Sequence, residues 1–259
     1  MIQTQNITYT IGDKIILDDI SVTFNPGNLN LIIGPNGAGK STLVKVICNQ
    51  IKAKEGWVQY GSENLADMTV SQLAKIRAVL SQNIELAFPL QVSEVVMMGR
   101  YPHFSVKPTE KDKTACEEAM RFFDVWEMAN RDYMTLSGGE KQRVHFARVV
   151  AQIWYPPENN MGRYLVLDEP LTFLDVHYQF HFMHKLLELL NQKDIVVVGV
   201  VHDLNLAAKF ADHIVLLDHG KLLAAGSKEE VLTKENIKTA YRLEPIIHSE
   251  KESMYLFFE

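Results

Sequence analysis

The sequence predicts an α/β protein whose core is a mainly parallel β-sheet. Three runs dominated by apolar residues, without the regular polar alternation of a half-exposed strand, are typical of strands buried on both faces of such a sheet. They are Leu29–Ile33, Tyr164–Leu167 and Ile195–Val201. Each is followed at once by glycine or by ionisable residues. Because ligands bind at the carboxyl ends of parallel strands, the residues that follow the three runs are the first candidates for a functional site.

The first run leads into a segment with the form of a phosphate-binding loop. Its residues are Gly34, Pro35, Asn36, Gly37, Ala38, Gly39, Lys40, Ser41 and Thr42. The glycines let backbone N–H groups turn inward around an anion, and a helix beginning at Lys40 adds its positive N-terminal end. Lys40 is expected to reach the outer phosphates, and Ser41 to offer its hydroxyl to magnesium. A glycine-rich segment can be an ordinary turn that only connects a strand to a helix. The Lys-Ser pair at this position instead favours binding of a nucleoside triphosphate.

A second candidate phosphate contact lies at residues 136–140, which read Leu-Ser-Gly-Gly-Glu. Ser137 and Glu140 have the spacing of a capping box, so we expect a helix that begins after Ser137. Gly138 and Gly139 leave that helix start bare, and unpaired N–H groups at a helix N-terminus attract an anion. Considered alone, the segment is more simply an ordinary capped helix.

Two adjacent carboxylates, Asp168 and Glu169, follow the second apolar run. A buried strand ending in two acids is costly unless a cation or a reacting water uses them. We expect Asp168 to hold magnesium and Glu169 to act as a base facing the terminal phosphate. His202 ends the third run; on its own, a histidine there is more simply a hydrogen-bonded structural residue.

The order of these segments resembles that of the ATP-binding cassette (ABC) family over nearly the whole chain. Residues 34–42 are similar to its Walker A motif, residues 136–140 to its signature, and residues 165–168 to its Walker B strand. The single-residue matches are Gln82 for the Q-loop glutamine, Glu169 for the catalytic glutamate, Asp175 for the D-loop aspartate and His202 for the switch histidine. The resemblance implies an α/β P-loop NTPase fold, an ABC nucleotide-binding domain with an N-terminal antiparallel β subdomain and an inserted helical subdomain.

The resemblance also implies a magnesium-dependent ATPase that works as a head-to-tail homodimer. Each ATP would lie between residues 34–42 of one subunit and the helix start of the other, formed by Ser137, Gly138 and Gly139. Hydrolysis would depend on Glu169, His202, Lys40 and Gln82. The Mg²⁺ ligands would be Ser41, Gln82 and Asp168. On this reading the Ser-Gly-Gly helix start contacts nucleotide and is more than a plain cap.

The sequence departs from the family pattern at the expected adenine contact. Family members often stack adenine on an aromatic residue near the N-terminus, and counting back from Lys40 puts Ile11 at that position. Tyr9, two residues earlier in a strand, shares its face and is a candidate substitute. An ordinary hairpin tyrosine is the alternative. Residues 171–175 also differ, because the family usually has Thr-Ser before its D-loop aspartate.

The chain is predicted to be a single ABC ATPase domain over residues 1–259. Residues 1–87 and 158–242 are assigned to a RecA-like core with the antiparallel sheet, residues 88–157 to the helical signature subdomain, and residues 243–259 to a C-terminal tail. Alternating residues around Gly12 and Asp13 predict a hairpin over residues 2–24, and a second hairpin is predicted over residues 213–225. In the helical region, Ser93 is expected to cap one helix, and Thr109 with Asp112 another that runs through Phe123.

Composition favours a cytoplasmic protein. With 259 residues, 47% of them apolar, the chain can bury a large core, and its net charge of −6 argues against a nucleic-acid surface. No apolar run approaches the length of a membrane helix, and the N-terminus lacks the features of a signal peptide. Cys48 and Cys116 lack CxxC spacing and fit reduced thiols.

Resemblance also narrows the cargo. Residues 86–100 and 202–208 resemble ATPases of importers for haem, iron-siderophores and vitamin B12, and residues 148–163 are most similar to those of haem (hemin) importers. This implies an ATPase on the cytoplasmic face of the bacterial inner membrane, bound to two copies of a permease, with a substrate-binding protein on the far side and no direct contact with cargo. Phe88, Met98 and Tyr101 are candidates for an apolar permease socket, or for simple core packing. Siderophore or cobalamin import, a soluble ABC ATPase without a permease, and a small-molecule kinase remain alternatives.

Three histidines have the spacing of a metal site without its other features. His177, His181 and His184 fall on one face of a helix, but no HExxH glutamate accompanies them. Packing near the expected dimer contact is the simpler interpretation. Met97 and Met98 are likewise expected to pack and not to bind a ligand.

Overall fold

The computed structural model describes residues 1–81, 89–157, 161–172, 174–192, 194–250 and 253–258. They form two compact units. The first unit comprises Met1–Met68, Leu167–Pro170 and Val196–Glu259, and the second comprises Thr69–Val166 and Leu171–Ile195. The second unit starts before residue 88, where the sequence-based subdomain was placed, and that subdomain division stays a prediction.

The structure describes twelve strands and nine α-helices. The strands are β1 (Ile2–Ile11), β2 (Lys14–Phe24), β3 (Leu29–Ile33), β4 (Glu55–Tyr60), β5 (Glu63–Asn64), β6 (Arg77–Leu80), β7 (Arg163–Leu167), β8 (Ile195–Val200), β9 (His213–Asp218), β10 (Lys221–Gly226), β11 (Pro245–Glu250) and β12 (Ser253–Phe258). The α-helices are α1 (Lys40–Ile47), α2 (Val70–Ile76), α3 (Val92–Met97), α4 (Glu110–Phe122), α5 (Gly138–Gln152), α6 (Val176–Gln192), α7 (Leu204–Phe210), α8 (Lys228–Val231) and α9 (Lys234–Tyr241). Short 3₁₀ turns include Met98–His103 and Tyr133–Thr135.

An antiparallel sheet in the first unit has the strand order β2-β1-β4-β5. β1 and β2 form the predicted hairpin, in which Ile2 lies opposite Phe24 and Ile11 opposite Lys14. The register shifts between Ile7 and Tyr9 and again between Tyr9 and Thr10. Such irregularities twist a hairpin and redirect its side chains, so face assignments by simple alternation fail at this end of the sheet.

A second sheet of the first unit contains β10, β9, β3 and β8 in that order. β3 is parallel to both β9 and β8, whereas β10 pairs antiparallel with β9 as the predicted second hairpin. All residues of β3 and β8 are buried, which confirms that these apolar runs are interior strands of a parallel sheet. Their carboxyl ends lead directly into the phosphate loop and into His202.

In the second unit β6 lies beside β7, and α5 packs against α3 and α4. The rings of Phe146 on α5 and Phe182 on α6 are stacked with centroids 3.8 Å apart. A buried ion pair joins Arg100 to Asp112 at 3.0 Å. This unit therefore has a helical core of its own.

The helix starts of the second unit test the capping predictions. Thr109 accepts a hydrogen bond from the Asp112 N–H at the start of α4, as predicted. Ser93 was the wrong cap for α3: the helix already begins at Val92, and the backbone N–H of Gln91 donates to the Glu94 carboxylate at 2.7 Å. Because Ser93 lies inside the first turn, Gln91 holds the capping position.

The C-terminal segment is an ordered hairpin within the described residues. β11 and β12 pair antiparallel, and the Asn205 side chain on α7 exchanges two hydrogen bonds with the backbone of Leu256, at 3.1 and 2.8 Å. Across the described ranges, no helix is both long and apolar enough to span a bilayer.

Candidate nucleotide-binding site

The loop after β3 adopts a conformation that requires glycine. Gly34 has a φ of +147°, and a Cβ at this residue would lie 2.3 Å from the carbonyl oxygen of Leu217. Gly39 has a φ of +98°, and its Cβ would lie 2.8 Å from Leu17. α1 begins directly afterwards at Lys40, as predicted. The loop therefore approaches neighbouring backbone closely and turns into the helix as a phosphate-binding loop does.

The ammonium group of Lys40 lies over the loop itself. Its Nζ donates hydrogen bonds to the carbonyl oxygens of Gly34, at 2.8 Å, and Pro35, at 3.0 Å. Burial lowers the pKa of Lys40, while the charges of Glu169 and Asp168 oppose that shift. The loop thus holds a cation above the N-terminus of α1, where a phosphate would meet both.

A cavity of about 310 Å³ opens over this loop. Its described lining is Lys14, Ile16, Asn36, Gly37, Gly39, Lys40, Ser41, Thr42, Glu169 and His202. The first unit therefore brings the loop together with the predicted base and switch histidine. Sequence reasoning missed Lys14 and Ile16, which β2 places at the cavity. The sequence-based candidates for adenine, Tyr9 and Ile11, are not among these described lining residues, and Ile11 is 62% exposed.

Ser41 and Asp168 meet at the predicted magnesium position. Ser41 Oγ donates to Asp168 Oδ1 at 3.2 Å, although the two residues are far apart in sequence. Burial raises the pKa of Asp168, the Ser41 hydrogen bond lowers it, and the neighbouring Glu169 raises it again. A hydroxyl and a carboxylate oxygen are hard ligands of the kind that Mg²⁺ prefers, so this donor pair fits the ion. Gln82, the third predicted ligand, lies outside the described residues.

Glu169 and His202 form a close pair beside the loop. His202 Nε2 lies 2.8 Å from Glu169 Oε1. Glu169 has a φ of +52°, an uncommon conformation for a residue with a side chain. Such strain is typical of functional positions, where surrounding structure imposes it. The geometry brings this carboxylate and this histidine within hydrogen-bonding distance of each other.

The second unit contains the other predicted nucleotide contact. Ser137 caps α5 through the predicted box: its hydroxyl accepts from the Glu140 N–H at 3.4 Å, and the Glu140 carboxylate accepts from the Ser137 N–H at 2.8 Å. These hydrogen bonds to Ser137 lower the pKa of Glu140. Among the described residues, a Cβ at Gly138 or Gly139 would meet no atom within 4 Å apart from its chain neighbours and the backbone of its own helix. The helix start is therefore open to an approaching group.

Two of the three histidines of α6 make ordinary side-chain contacts, His177 with the ring of Tyr178 and His181 with Asp124. Asp175 accepts from the Tyr178 N–H at 3.0 Å at the start of this helix, and His181 Nε2 lies 3.2 Å from Asp124 Oδ2. Within the part of the chain that the structure describes, no group of three or more His, Cys, Asp and Glu side chains has the arrangement to hold a metal ion.

The predicted permease socket is described in part. Tyr101 is 58% exposed and Met98 is half-buried. Phe88 lies outside the described residues. Tyr101 contacts Phe104 edge to face with ring centroids 5.7 Å apart, so it presents an aromatic surface that is already held in place.

Comparison with solved structures supports the assignment of the chain to the ABC cassette fold. The chain superposes on a chain of a metal-chelate type ABC transporter, solved in an inward-facing conformation, with a TM-score of 0.82 at 23% identity, covering 100% of this chain and 96% of that one. It also superposes on a bacterial ABC transporter cassette solved as a dimer, with a TM-score of 0.73 at 27% identity, covering 88% and 98%.

Sequence comparison identifies the family of this chain and finds relatives that are 40–42% identical to it. Residues 17–172 match the ABC transporter family. The hemin import ATP-binding protein HmuV of Escherichia coli O157:H7 is 40% identical over 93% of this chain and 92% of its own length. Its namesake from Gloeobacter violaceus is 42% identical over 95% and 89%. With the loop, the carboxylate pair and the signature helix all present, the chain belongs to the ABC transporter family and is one of its ATPases.

Proposed function

We propose that this ATPase powers the import of haem (hemin) through a partner membrane permease. The observation that carries the proposal is its 40–42% identity, over 93–95% of the chain, to three proteins named for hemin import. The identity is spread over 93–95% of the chain and is therefore not confined to the short nucleotide-binding motifs.

The residues around the loop supply positioning and charge. Lys40 and the N–H groups of residues 34–42 offset the charge of the phosphates, which is the main requirement of phosphoryl transfer. Magnesium, when held by Ser41, Asp168 and Gln82, would neutralise further charge on the phosphate oxygens. Glu169 accepts the proton of the attacking water, and His202 holds that carboxylate in place at 2.8 Å.

The remaining nucleotide contact comes from a second copy of the chain. Ser137, Gly138 and Gly139 form an open helix start that suits an anion, and in a head-to-tail homodimer this anion is the nucleotide of the other subunit. The dimeric form of a structurally similar ABC cassette supports this arrangement. Neither subunit then hydrolyses ATP alone.

The proposed assembly places the ATPase homodimer on the cytoplasmic face of the bacterial inner membrane. Two permease copies bind it there, and a substrate-binding protein delivers haem from the far side. Cargo and nucleic acid do not touch the ATPase. Exposed Tyr101 belongs to the permease contact, together with Met98 and Phe88. The division into a core (1–87 and 158–242), a helical subdomain (88–157) and a tail (243–259) is part of this proposal.

Reconstitution tests the proposal. The chain is inserted with its permease into proteoliposomes, and phosphate release is measured with the binding protein loaded with haem, with a ferric siderophore or with cobalamin. Stimulation by haem is expected, and Glu169→Gln is the inactive control. Stimulation only by siderophore or cobalamin would reassign the cargo. Failure to bind the permease would indicate a soluble ABC ATPase, and phosphate transfer to an acceptor other than water would indicate a kinase.

A further inference from the structure

A buried tyrosine–histidine pair anchors the segment that leads into the signature helix. Tyr133 Oη lies 2.7 Å from His145 Nε2, and the two rings meet edge to face with centroids 5.5 Å apart. The side chains are nearly inaccessible, at 3% and 4% exposure. Tyr133 opens the 3₁₀ turn just before Ser137, whereas His145 lies on α5 about two turns beyond it. The hydrogen bond therefore connects the approach to the helix with the body of the same helix.

Stability alone does not account for this pair. Burial, aided by the charges of Arg148 and Lys141, lowers the pKa of His145 to about 4, so its imidazole is neutral at physiological pH. Its Nδ1 is buried and has no hydrogen-bond partner among the described residues. A buried polar pair with an unsatisfied atom is usually no more stable than well-packed apolar residues of similar size. What the pair adds over an apolar contact is one defined geometry.

Further contacts make Tyr133 the fixed point of this segment. Its N–H donates to the carbonyl oxygen of Leu90 at 2.8 Å, and its own carbonyl accepts from the Leu136 N–H at 3.2 Å. The Lys141 ammonium lies 5.3 Å from the centroid of its ring. Tyr133 is thus held both by its backbone and by its side chain, and its carbonyl is bonded to Leu136, the residue directly before Ser137.

We propose that Tyr133 and His145 are positioning residues, which hold Ser137, Gly138 and Gly139 in the orientation that reaches the nucleotide of the partner subunit. This inference rests on the shared nucleotide site of the proposed function. Neither residue touches substrate. Their effect on rate is indirect, because a displacement of about 1 Å in a group that contacts the transition state can reduce a rate about 100-fold.

Three variants of the full-length chain separate positioning from stability. Tyr133→Phe and His145→Leu each leave one buried polar group without a partner, so both are expected to lower Tm and kcat. The double variant removes both polar groups and is expected to recover most of the lost Tm. Its kcat is expected to stay about tenfold or more below that of the original chain. KM for ATP is expected to be unchanged, because the isolated subunit binds ATP through residues 34–42.

A matched control carries the same chemical change elsewhere. Tyr60 is fully buried and donates to the carbonyl oxygen of Ile47 at 3.0 Å, at the end of α1 away from the phosphate loop. Tyr60→Phe is expected to lower Tm and to retain kcat. Rates are compared at a temperature where circular dichroism shows every variant to be folded. A double variant with full kcat, or an equal loss of kcat in Tyr60→Phe, would overturn the positioning role.

Ser137→Arg distinguishes this inference from the proposed function on which it depends. The bulky cation at the open helix start is expected to stop hydrolysis while leaving ATP binding by the monomer intact, and loss of the Ser137 cap is expected to lower Tm. If Ser137→Arg stays active, the shared site itself is wrong. If Ser137→Arg is inactive and the Tyr133→Phe/His145→Leu double variant is fully active, only the positioning inference is wrong.

Discussion

His202 Nε2 lies 2.8 Å from Glu169 Oε1, and the histidine is the more accessible partner, with its side chain 47% exposed against 17% for the glutamate. Glu169 takes this position with a left-handed backbone, which costs about 1–3 kcal/mol for a residue with a side chain. Asp168 Oδ1 accepts from Ser41, whereas Glu169 meets His202, so the two adjacent acids have separate partners.

Glu169→Gln is expected to abolish turnover while ATP stays bound. The amide keeps the size of the side chain and an oxygen for the histidine, but it cannot take a proton from water. A loss of general-base catalysis reduces rates about 10²- to 10⁴-fold. Phosphate release measures the loss, and gel filtration with saturating ATP is expected to show a dimer. A variant that remains monomeric under these conditions would contradict the shared site.

Alanine at Gly34 and at Gly138 is expected to act in opposite ways. At Gly34 the new Cβ would lie 2.3 Å from a backbone carbonyl oxygen, so the loop must move; Tm and ATP binding should both fall. At Gly138 no atom of the described residues beyond its own helix lies within 4 Å of the new Cβ, and alanine favours a helix by up to about 1 kcal/mol. Gly138→Ala should therefore keep its Tm and its ATP binding, yet lose kcat by crowding the partner's nucleotide.

Calorimetry and nucleotide titration, beside phosphate release, check this pair of glycine variants. If Gly34→Ala binds ATP normally, the close approach of the loop to Leu217 is not essential. Full activity of Gly138→Ala would mean that the helix start has room to spare at the dimer contact.

Local patterns explain why much of the site was predictable. The phosphate loop, the Thr109 cap and the Ser137–Glu140 box each depend on residues within a few positions of one another, and the structure has all three. Ser41 and Asp168 are distant in sequence. Their meeting was still predictable, because parallel strands end at one edge of a sheet.

Other features depend on tertiary packing that no local pattern encodes. Lys14 and Ile16 reach the nucleotide cavity only because the β1–β2 hairpin lies next to the phosphate loop. The register of this hairpin is irregular, so the position of a residue along the strand does not predict which face its side chain occupies. Tyr133 and His145 are twelve residues apart with no recognisable spacing rule between them. The start of α3 shows a different limit, since Gln91 and Ser93 are polar residues only two positions apart and the sequence does not say which of them caps the helix.

The free energy of unfolding is expected to decrease as the pH is lowered, because His145 becomes protonated. Burial lowers its pKa from 6.5 to about 4 in the folded chain, so the unfolded chain binds more protons between these values. The free energy of unfolding should therefore decrease as pH falls from about 6.5 to about 4, by at most about 3 kcal/mol from this residue. Urea unfolding at several pH values measures the slope.

His145→Leu is the comparison that isolates this residue. Burial also lowers the pKa of His103 and His213, and both contribute to the pH dependence of either protein. The difference in slope between the two proteins belongs to His145. Parallel stability curves across this pH range would show that the imidazole is not held neutral by burial.

Lys14 is expected to contribute more to nucleotide affinity than Tyr9. Lys14 lines the cavity over the phosphate loop, and its charge would meet the anionic nucleotide at a solvent-exposed edge. An exposed charge pair is worth up to about 1 kcal/mol, so Lys14→Ala should raise KM for ATP about two- to fivefold at low salt. Added salt should shrink that difference, because it screens the attraction in the original chain. Tyr9→Ala should leave KM nearly unchanged. Steady-state ATPase assays at two ionic strengths measure KM for both variants. A large KM increase in Tyr9→Ala alone would place adenine on that tyrosine. The β1–β2 hairpin would then have to rearrange when nucleotide binds.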